Sequence, residues 1–398
     1  MVECILCRTV CIIYVYGNAR NNEKTMKIIL VAEHASIDFG GEAALPCHYF
    51  RVLRARNYDV NLVVHERSRS FLSRVFKNDG DHIYYVKDSR MHRFLHACQR
   101  YLPRRLGGMT FGFLLRVLTQ YIQKRLVQRL IVEDNKNNNI VVHQVIPVSP
   151  KEPSLLFGLN VPVVIGPLNG GMYYPKGFEG YEGRLSLWFN DIGRVISKPI
   201  NCFFRGKRNA AVIMVSNQRT ADALPSGLEG DVRFIVENGV DLSVWQAAAS
   251  DKTSELPTFV YVGRLVDWKA VDILLDAFFK ACDVYGPMQL RIIGDGDQRE
   301  YLEQIVLKHH DQAGEVLFHG WIAQQDIAPI LSNSVALVLP SLYECGGAVV
   351  LEAMALSKAV ISTNWGGPSD YLDDSCGILI EPTSREGLVD GFSDAMLR

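Results

Sequence analysis

The sequence predicts an α/β protein built as two Rossmann-like domains, with parallel sheets facing each other across a cleft. Three observations predict it. Short all-apolar runs recur along the chain, each leading into a loop and then a helical stretch, which is the pattern of buried parallel strands joined by crossover helices. The chain has 398 residues, more than one core usually serves, so two domains of about 200 residues are expected. The strand–loop–helix pattern also starts afresh in the second half.

Taken in order, Ile28–Ala32 is the first strand, so Met26 reads as the true start and 1–25 as an over-extended leader. Its apolar patch Val10–Tyr16 is too short to span a bilayer, it lacks the features of a signal peptide, and no other run approaches the ~18 apolar residues a spanning helix needs. The strand leads through Glu33–Gly41, ending in Gly40-Gly41, to a helix over Glu42–Arg56. Such a loop presents backbone amides at a sheet's carboxyl edge. Val60–His65 is the second strand. Phe111–Val132 spaces Leu114, Val117, Leu118, Tyr121 and Ile122 against Arg116, Gln120, Lys124 and Arg129, an amphipathic helix with a cationic outer face. Ile140–His143 is a strand ended by its histidine, Val161–Ile165 runs into the loop Gly166–Gly171, and Ala211–Ser216 closes the first sheet.

The second half repeats the plan with Phe259–Val262, a helix over Val271–Tyr285, then strands Leu290–Ile293, Val316–Trp321 and Val335–Leu339. Asp79-Gly80-Asp81 and Asp295-Gly296-Asp297 look like D-x-D metal sites. Their setting in a polar surface loop and a strand-to-helix turn makes them turn residues instead, so no metal site is expected.

Charge divides the halves. Lys27–Val240 holds 29 basic and 18 acidic residues, +11, whereas Asp241–Arg398 holds 10 and 23, −13. A basic first lobe could face an anionic membrane leaflet, an acidic acceptor or nucleic acid, or simply complement the acidic half. Nucleic acid ranks last, because the basic residues follow no known binding module. Nine irregularly spaced cysteines fit reduced thiols and a cytoplasmic protein, free or peripheral on the inner face of a membrane.

Chemistry concentrates at two loops. After Val335–Leu339 comes Tyr343–Ala355, Y-E-C-G-G-A-V-V-L-E-A-M-A, with a helix expected to start near Gly347. That start leaves the N–H groups of Gly346, Gly347, Ala348 and Val349 unpaired at the positive end of the helix dipole, where a phosphate or carboxylate fits. Glu344 and Glu352 lie on either side of it. After Phe259–Val262 comes Gly263–Lys269, where Arg264 and Lys269 are two cations at a strand's carboxyl end, as a diphosphate requires.

These motifs resemble family 4 of the retaining glycosyltransferases, whose signature is two glutamates with seven residues between them at a strand–loop–helix. The resemblance covers Met26–Arg398 and implies the GT-B fold, a nucleoside diphosphate sugar as donor and no other cofactor. Phe234–Asp241, F-I-V-E-N-G-V-D, is similar to the family's hinge, which implies domains at 26–237 and 238–398. It implies that Glu344 contacts the donor's sugar and phosphate region, Glu352 holds the ribose, and Arg264 with Lys269 stabilises the leaving diphosphate. His143 would meet the donor sugar. Gly40, Gly41, Gly294 and the amides at Gly346–Val349 would lie along the donor, and Trp321 beside its base. Gly166, Asn169, Gly170 and Gly171 would line the acceptor side. Cys345 stands where the family often has Phe, and the chain stops short of the helices with which members cross back to their first domain.

The expected reaction is metal-independent transfer of a hexose, with retention, to a hydroxyl of a glycan or lipid-linked acceptor in polysaccharide biosynthesis. Two alternatives stay open. A non-hydrolysing sugar-nucleotide epimerase of the same fold would turn over its substrate without an acceptor, and a non-catalytic remnant would bind donor without transfer.

Overall fold

The computed structural model describes residues 26–36, 41–102, 104–134, 139–179, 199–242, 244–246, 256–309 and 313–398. The leader 1–25 and Gly40 lie outside them. The described residues fall into two compact units, one within Glu3–Gly171 and Asp191–Glu237, the other within Met172–Asn190 and Asn238–Arg398.

The first unit holds seven parallel strands, β1 (Lys27–Val31), β2 (Asp59–His65), β3 (Ile83–Val86), β4 (Ile140–Gln144), β5 (Val163–Leu168), β6 (Val212–Val215) and β7 (Asp231–Phe234). Their order is β3-β2-β1-β4-β5-β6-β7, so the chain reverses direction across the sheet between β1 and β4. Its helices include α1 (Gly41–Ala55), α2 (Arg69–Val75), α3 (Arg90–Gln99), α4 (Phe113–Glu133) and α5 (Gln218–Asp222). The central strands read as unbroken apolar runs because both faces are covered: Ile28, Ile29 and Leu30 have no exposed surface.

One helix departs from its expected pattern. Phe111–Val132 reads as amphipathic with its polar residues outward, yet α4 buries Thr119, Gln120 and Gln123 and leaves Leu114 and Tyr121 exposed. The loops at the sheet's carboxyl edge explain it, since their buried carbonyls need donors. Gln123 Nε2 donates to Ala32 O at 2.6 Å. Gln120 donates to Pro153 O at 3.2 Å and accepts the Leu155 N–H at 3.2 Å.

The second unit holds six parallel strands, β8 (Thr258–Val262), β9 (Met288–Ile293), β10 (Gly314–Gly320), β11 (Ala336–Leu339), β12 (Ala359–Thr363) and β13 (Ile378–Ile380). Their order, β10-β9-β8-β11-β12-β13, repeats that of the first sheet, with its reversal between β8 and β11. The helices are α6 (Val271–Tyr285), α7 (Arg299–Lys308), α8 (Gln324–Ser332), α9 (Ala348–Ala355), α10 (Pro368–Tyr371) and α11 (Arg385–Met396). The core is made by α6 and α11 with β8, β11 and β12, and Leu337 of β11 is fully buried. Truncating Leu337 to Ala would cost roughly 2–5 kcal/mol. A segment from before the second half joins this unit: Phe178 sits in its core and Trp365 Nε1 donates to Tyr173 O at 2.8 Å.

Candidate functional site

In an open parallel sheet, ligands bind beyond the carboxyl ends of the strands, where the strand order reverses. In the second unit that point lies between β8 and β11, so the loops after these strands define the candidate site.

The loop after β8 runs through Gly263 and Arg264 to a single turn, Asp267–Lys269, and enters α6 through Ala270 in the left-handed region (φ 52°). The loop after β11 runs from Pro340 to Gly347, which is also left-handed (φ 69°) and caps α9. Two backbone bonds tie the loops together, Leu342 N–H and Tyr343 N–H both donating to Trp268 O, at 2.9 and 3.3 Å. One result is that the Lys269 ammonium forms an ion pair with the Glu344 carboxylate, both side chains mostly buried. Arg264 is exposed, its guanidinium carbon 5.7 Å from the centre of the Trp268 ring.

The helix end is open as expected. The first bond of its opening turn is from Val350 N–H to Gly347 O at 2.9 Å, so the N–H groups of Ala348 and Val349 come before it and face out of the helix. Glu352, one turn further along α9, accepts from Gln324 Nε2 at 2.7 Å. Burial pushes its carboxyl up to about 7, and the Gln324 bond opposes that rise.

Neighbouring loops support these two by approaching too closely for any side chain. A Cβ at Gly294 would stand 1.9 Å from Gly263 O, and one at Gly296 would stand 2.2 Å from Leu265 O. Cβ atoms at Gly366 and Gly367 would meet Glu344 O at 2.3 Å and Gly346 O at 2.4 Å. Gly294 therefore shapes the β8 loop through backbone packing. Asp295 accepts the Gly296 N–H at 2.8 Å and lies 3.7 Å from Arg299, as a turn residue does. Trp321 is 70% exposed.

The residues expected in the first half are placed differently. Gly41 opens α1. His143 lies inside β4 and not at its end, with no exposed surface, and its Nε2–H donates to Gly166 O at 2.7 Å while Tyr49 packs edge-on against it. Burial lowers its imidazole to about 4, so it is neutral, and its ring holds the Gly166 carbonyl in place. Gly166 (φ 116°) and Gly171 (φ 73°) would each press a Cβ within 2.5 Å of a backbone oxygen. The Gly170 N–H donates to Thr220 Oγ1 at 3.1 Å, and buried Asn169 donates to the Glu237 carboxylate. Gly166 to Leu168 thus belong to β5 and not to the expected loop, and the stretch Gly166–Gly171 is held by its own unit.

Among the described residues one group could hold a metal by composition, His65, Asp88 and His92. Its hydrogen bonds leave no ring lone pair for an ion. Each Nδ1 accepts a backbone N–H, from Arg67 at 3.2 Å and from Ser89 at 3.1 Å. Each Nε2 thus carries the proton and donates it, His65 to Asp88 at 3.1 Å and His92 to Thr119 at 3.1 Å.

Two loops that meet at a strand-order reversal, bringing a Lys–Glu pair beside an open helix end, suit an anionic ligand. Residues 246–397 match the glycosyl transferases group 1 family. This group 1 stretch contains every site residue of the second unit. One component of the phosphatidylinositol N-acetylglucosaminyltransferase of Arabidopsis thaliana is 26% identical over 194 residues, 49% of this chain and 43% of that protein. The chain thus matches less than half the length of that relative. Over the whole fold it is similar to Anabaena Alr3699/HepE, solved with UDP and glucose (TM-score 0.57, 14% identity, 93% of this chain and 89% of that one). It is also similar to the lipopolysaccharide outer core galactosyltransferase WaaB (TM-score 0.59, 17% identity, 94% and 90%). These likenesses give the fold, GT-B, with its pair of Rossmann-like domains.

Sequence reasoning missed Gln324, which has no motif of its own and matters only because α8 brings it to Glu352. It also missed the Trp268 carbonyl, which no side-chain pattern reveals.

Proposed function

We propose that the chain is a retaining glycosyltransferase of family 4 that moves a hexose from a nucleoside diphosphate sugar to a hydroxyl of a glycan or lipid-linked acceptor. The observation that carries this reading is the Lys269–Glu344 pair beside the open start of α9, with Glu352 one turn along the same helix. The donor's diphosphate would sit on the N–H groups of Ala348 and Val349, and Lys269 and Arg264 would meet its charge. Lys269 would then be shared between Glu344 and the phosphate, and Glu344 would face the sugar. Glu352, steadied by Gln324, would accept from the ribose hydroxyls.

In the transfer step the bond from the anomeric carbon to the phosphate oxygen breaks and negative charge grows on the departing diphosphate. Fixed cations and helix amides stabilise that charge, the class of effect that is usually largest in such sites. The acceptor's hydroxyl oxygen would bond to the anomeric carbon on the face the phosphate leaves, giving its proton to the departing phosphate oxygen, which keeps the anomeric configuration. With Lys269 and Arg264 to meet its charge, the donor would need no divalent ion. The basic first unit would take the acceptor and lie against an anionic leaflet, on the cytoplasmic side.

The test is a panel of UDP, GDP and ADP hexoses, scored first by thermal shift and then by nucleotide release with polyprenyl- and glycan-linked acceptors, with and without EDTA. A donor that raises the melting point and releases nucleotide only with an acceptor supports the reading. Turnover without any acceptor would point to the epimerase, binding without turnover to the remnant, and activity restored only by Mg²⁺ or Mn²⁺ would overturn metal independence.

A further inference from the structure

Between Ser89 and Val132 the sequence has eight arginines, one lysine and no aspartate or glutamate. The structure folds much of this window into α3 and α4, which pack together through His92 and Thr119. The outer side of α3 is apolar as well as cationic. Arg90, Met91, Arg93, Phe94, Arg100 and Tyr101 are all exposed, Met91 by 53%, Phe94 by 61% and Tyr101 by 89%. Their spacing of three, four and seven residues sets most of them along one side of the helix. On α4, Leu114 and Tyr121 are each 47% exposed, and Arg125 donates to the Tyr121 hydroxyl at 3.0 Å. Among the described residues, Arg90, Arg93 and Arg100 form no ion pair with a carboxylate.

The two helices therefore carry apolar side chains on both sides. Their buried sides hold Leu95, Leu115, Val127 and Leu130 along with His92, Thr119, Gln120 and Gln123, while Met91, Phe94, Leu114 and Tyr121 are exposed. Single exposed apolar residues are ordinary, but several among unpaired arginines on adjoining helices mark a surface with a partner. A nucleic acid would use the arginines and gain nothing from Met91 or Leu114. A second copy seated face to face would set arginines against arginines. An anionic bilayer satisfies both features at once, its phosphates taking the guanidinium groups and its interfacial layer taking the apolar side chains.

We infer that α3 and the outer side of α4 dock the first unit on an anionic membrane surface, with Arg90, Arg93 and Arg100 at the lipid phosphates and Met91, Phe94 and Tyr101 in the interfacial layer. Docking would carry a transferase to a lipid-linked acceptor, and to that extent it rests on the function proposed; the docking itself is measurable with no donor or acceptor present.

The experiment is flotation of the full chain with vesicles of phosphatidylcholine, and of phosphatidylcholine with phosphatidylglycerol, at low and high salt. Arg93→Glu with Arg100→Glu, and Phe94→Ser with Tyr101→Ser, serve as the two variants, both at exposed positions. The parent should float with anionic vesicles alone and release in part with salt. Each arginine removed should weaken binding about fivefold or more at low salt. The serine variant should lose what binding survives high salt. Equal flotation with both vesicle types, no flotation, or parent-like flotation of both variants would overturn the assignment. So would a dimer of the parent, by sedimentation, that the serine variant abolishes, or capture by RNA in preference to anionic vesicles. A thermal shift with donor sugars, run on the same proteins, separates the two ideas: loss of flotation with an unchanged donor shift isolates docking, and flotation without any donor shift leaves docking standing while the transferase reading fails.

Discussion

Gln324 Nε2 donates to Glu352 Oε1 at 2.7 Å, joining the first turn of α8 to the middle of α9. The bond favours the ionised carboxylate in a place where burial favours the neutral acid, and burial wins, holding the group up at about 7. Glu352 is therefore poised near neutral pH between an ionised hydrogen-bond acceptor and a protonated acid that cannot accept as well.

Gln324→Leu removes the bond and leaves burial unopposed. Donor KM near neutral pH should rise about tenfold, the value of one lost hydrogen bond to a charged group. The pH above which donor binding is tight should also move up. Donor KM measured across the neutral range checks both, and a KM rise with an unmoved pH profile would reduce Gln324 to a packing residue.

Stability should respond to the same group with a definite sign. The carboxyl is raised from its ordinary 4.5 to about 7, so between those values the unfolded chain has lost a proton that the folded chain keeps. The contribution of Glu352 is most favourable below that window and falls as pH rises through it. Glu352→Gln should therefore gain melting temperature relative to the parent as pH is raised from 5 to 8. His143 acts oppositely. Lowered from 6.5 to about 4, it contributes stability that is present above 6.5 and lost as pH falls toward 4. Thermal melts of the parent, Glu352→Gln and His143→Gln across this range read both slopes.

Gly294→Ala should distort the site without touching it. The added Cβ meets Gly263 O, and Gly294 sits at φ 133°, a region costing an L-residue of order 1–3 kcal/mol. Both backbone loops must shift, Arg264 with them. The expected result is a melting point lower by several degrees and a weaker donor shift. An unchanged melting point would show that the loops yield freely.

Most of the sheet scaffold was legible because parallel strands buried on both faces write themselves as apolar runs. The runs at Val60–His65, Phe259–Val262 and Val335–Leu339 lie within a residue of β2, β8 and β11. The helix over Val271–Tyr285 matches α6. β7 gave no such signal, since Arg233 and Phe234 on that edge strand are exposed. The open helix start after Gly347 was legible because two glycines before an apolar run have few other uses. Periodicity misled at α4, where Gln120 and Gln123 turn inward to satisfy loop carbonyls. That demand belongs to the tertiary structure and has no local trace. The place of His143 has no local trace either: it lies one residue inside β4, and its ring holds the carbonyl of Gly166.

Lys269→Ala and Glu352→Ala should injure a transferase in different ways. In the proposed transfer Lys269 would meet a diphosphate whose charge grows as the sugar leaves, so its interaction would be stronger in the transition state than in the ground state. Glu352 would bond a ribose equally in both. Losing a hydrogen bond to a charged group costs roughly 1.5–3 kcal/mol, about ten- to a hundredfold. Lys269→Ala should put that loss mainly into kcat, and Glu352→Ala should put it mainly into donor KM, the pattern of lost uniform binding. The ion pair adds a complication with its own control, because Lys269→Ala also strands the mostly buried Glu344 carboxylate. Lys269→Ala with Glu344→Gln removes that stranded charge. If the double variant regains melting temperature but not kcat, the lysine acts on the leaving group. If kcat returns with stability, the lysine served only to neutralise Glu344.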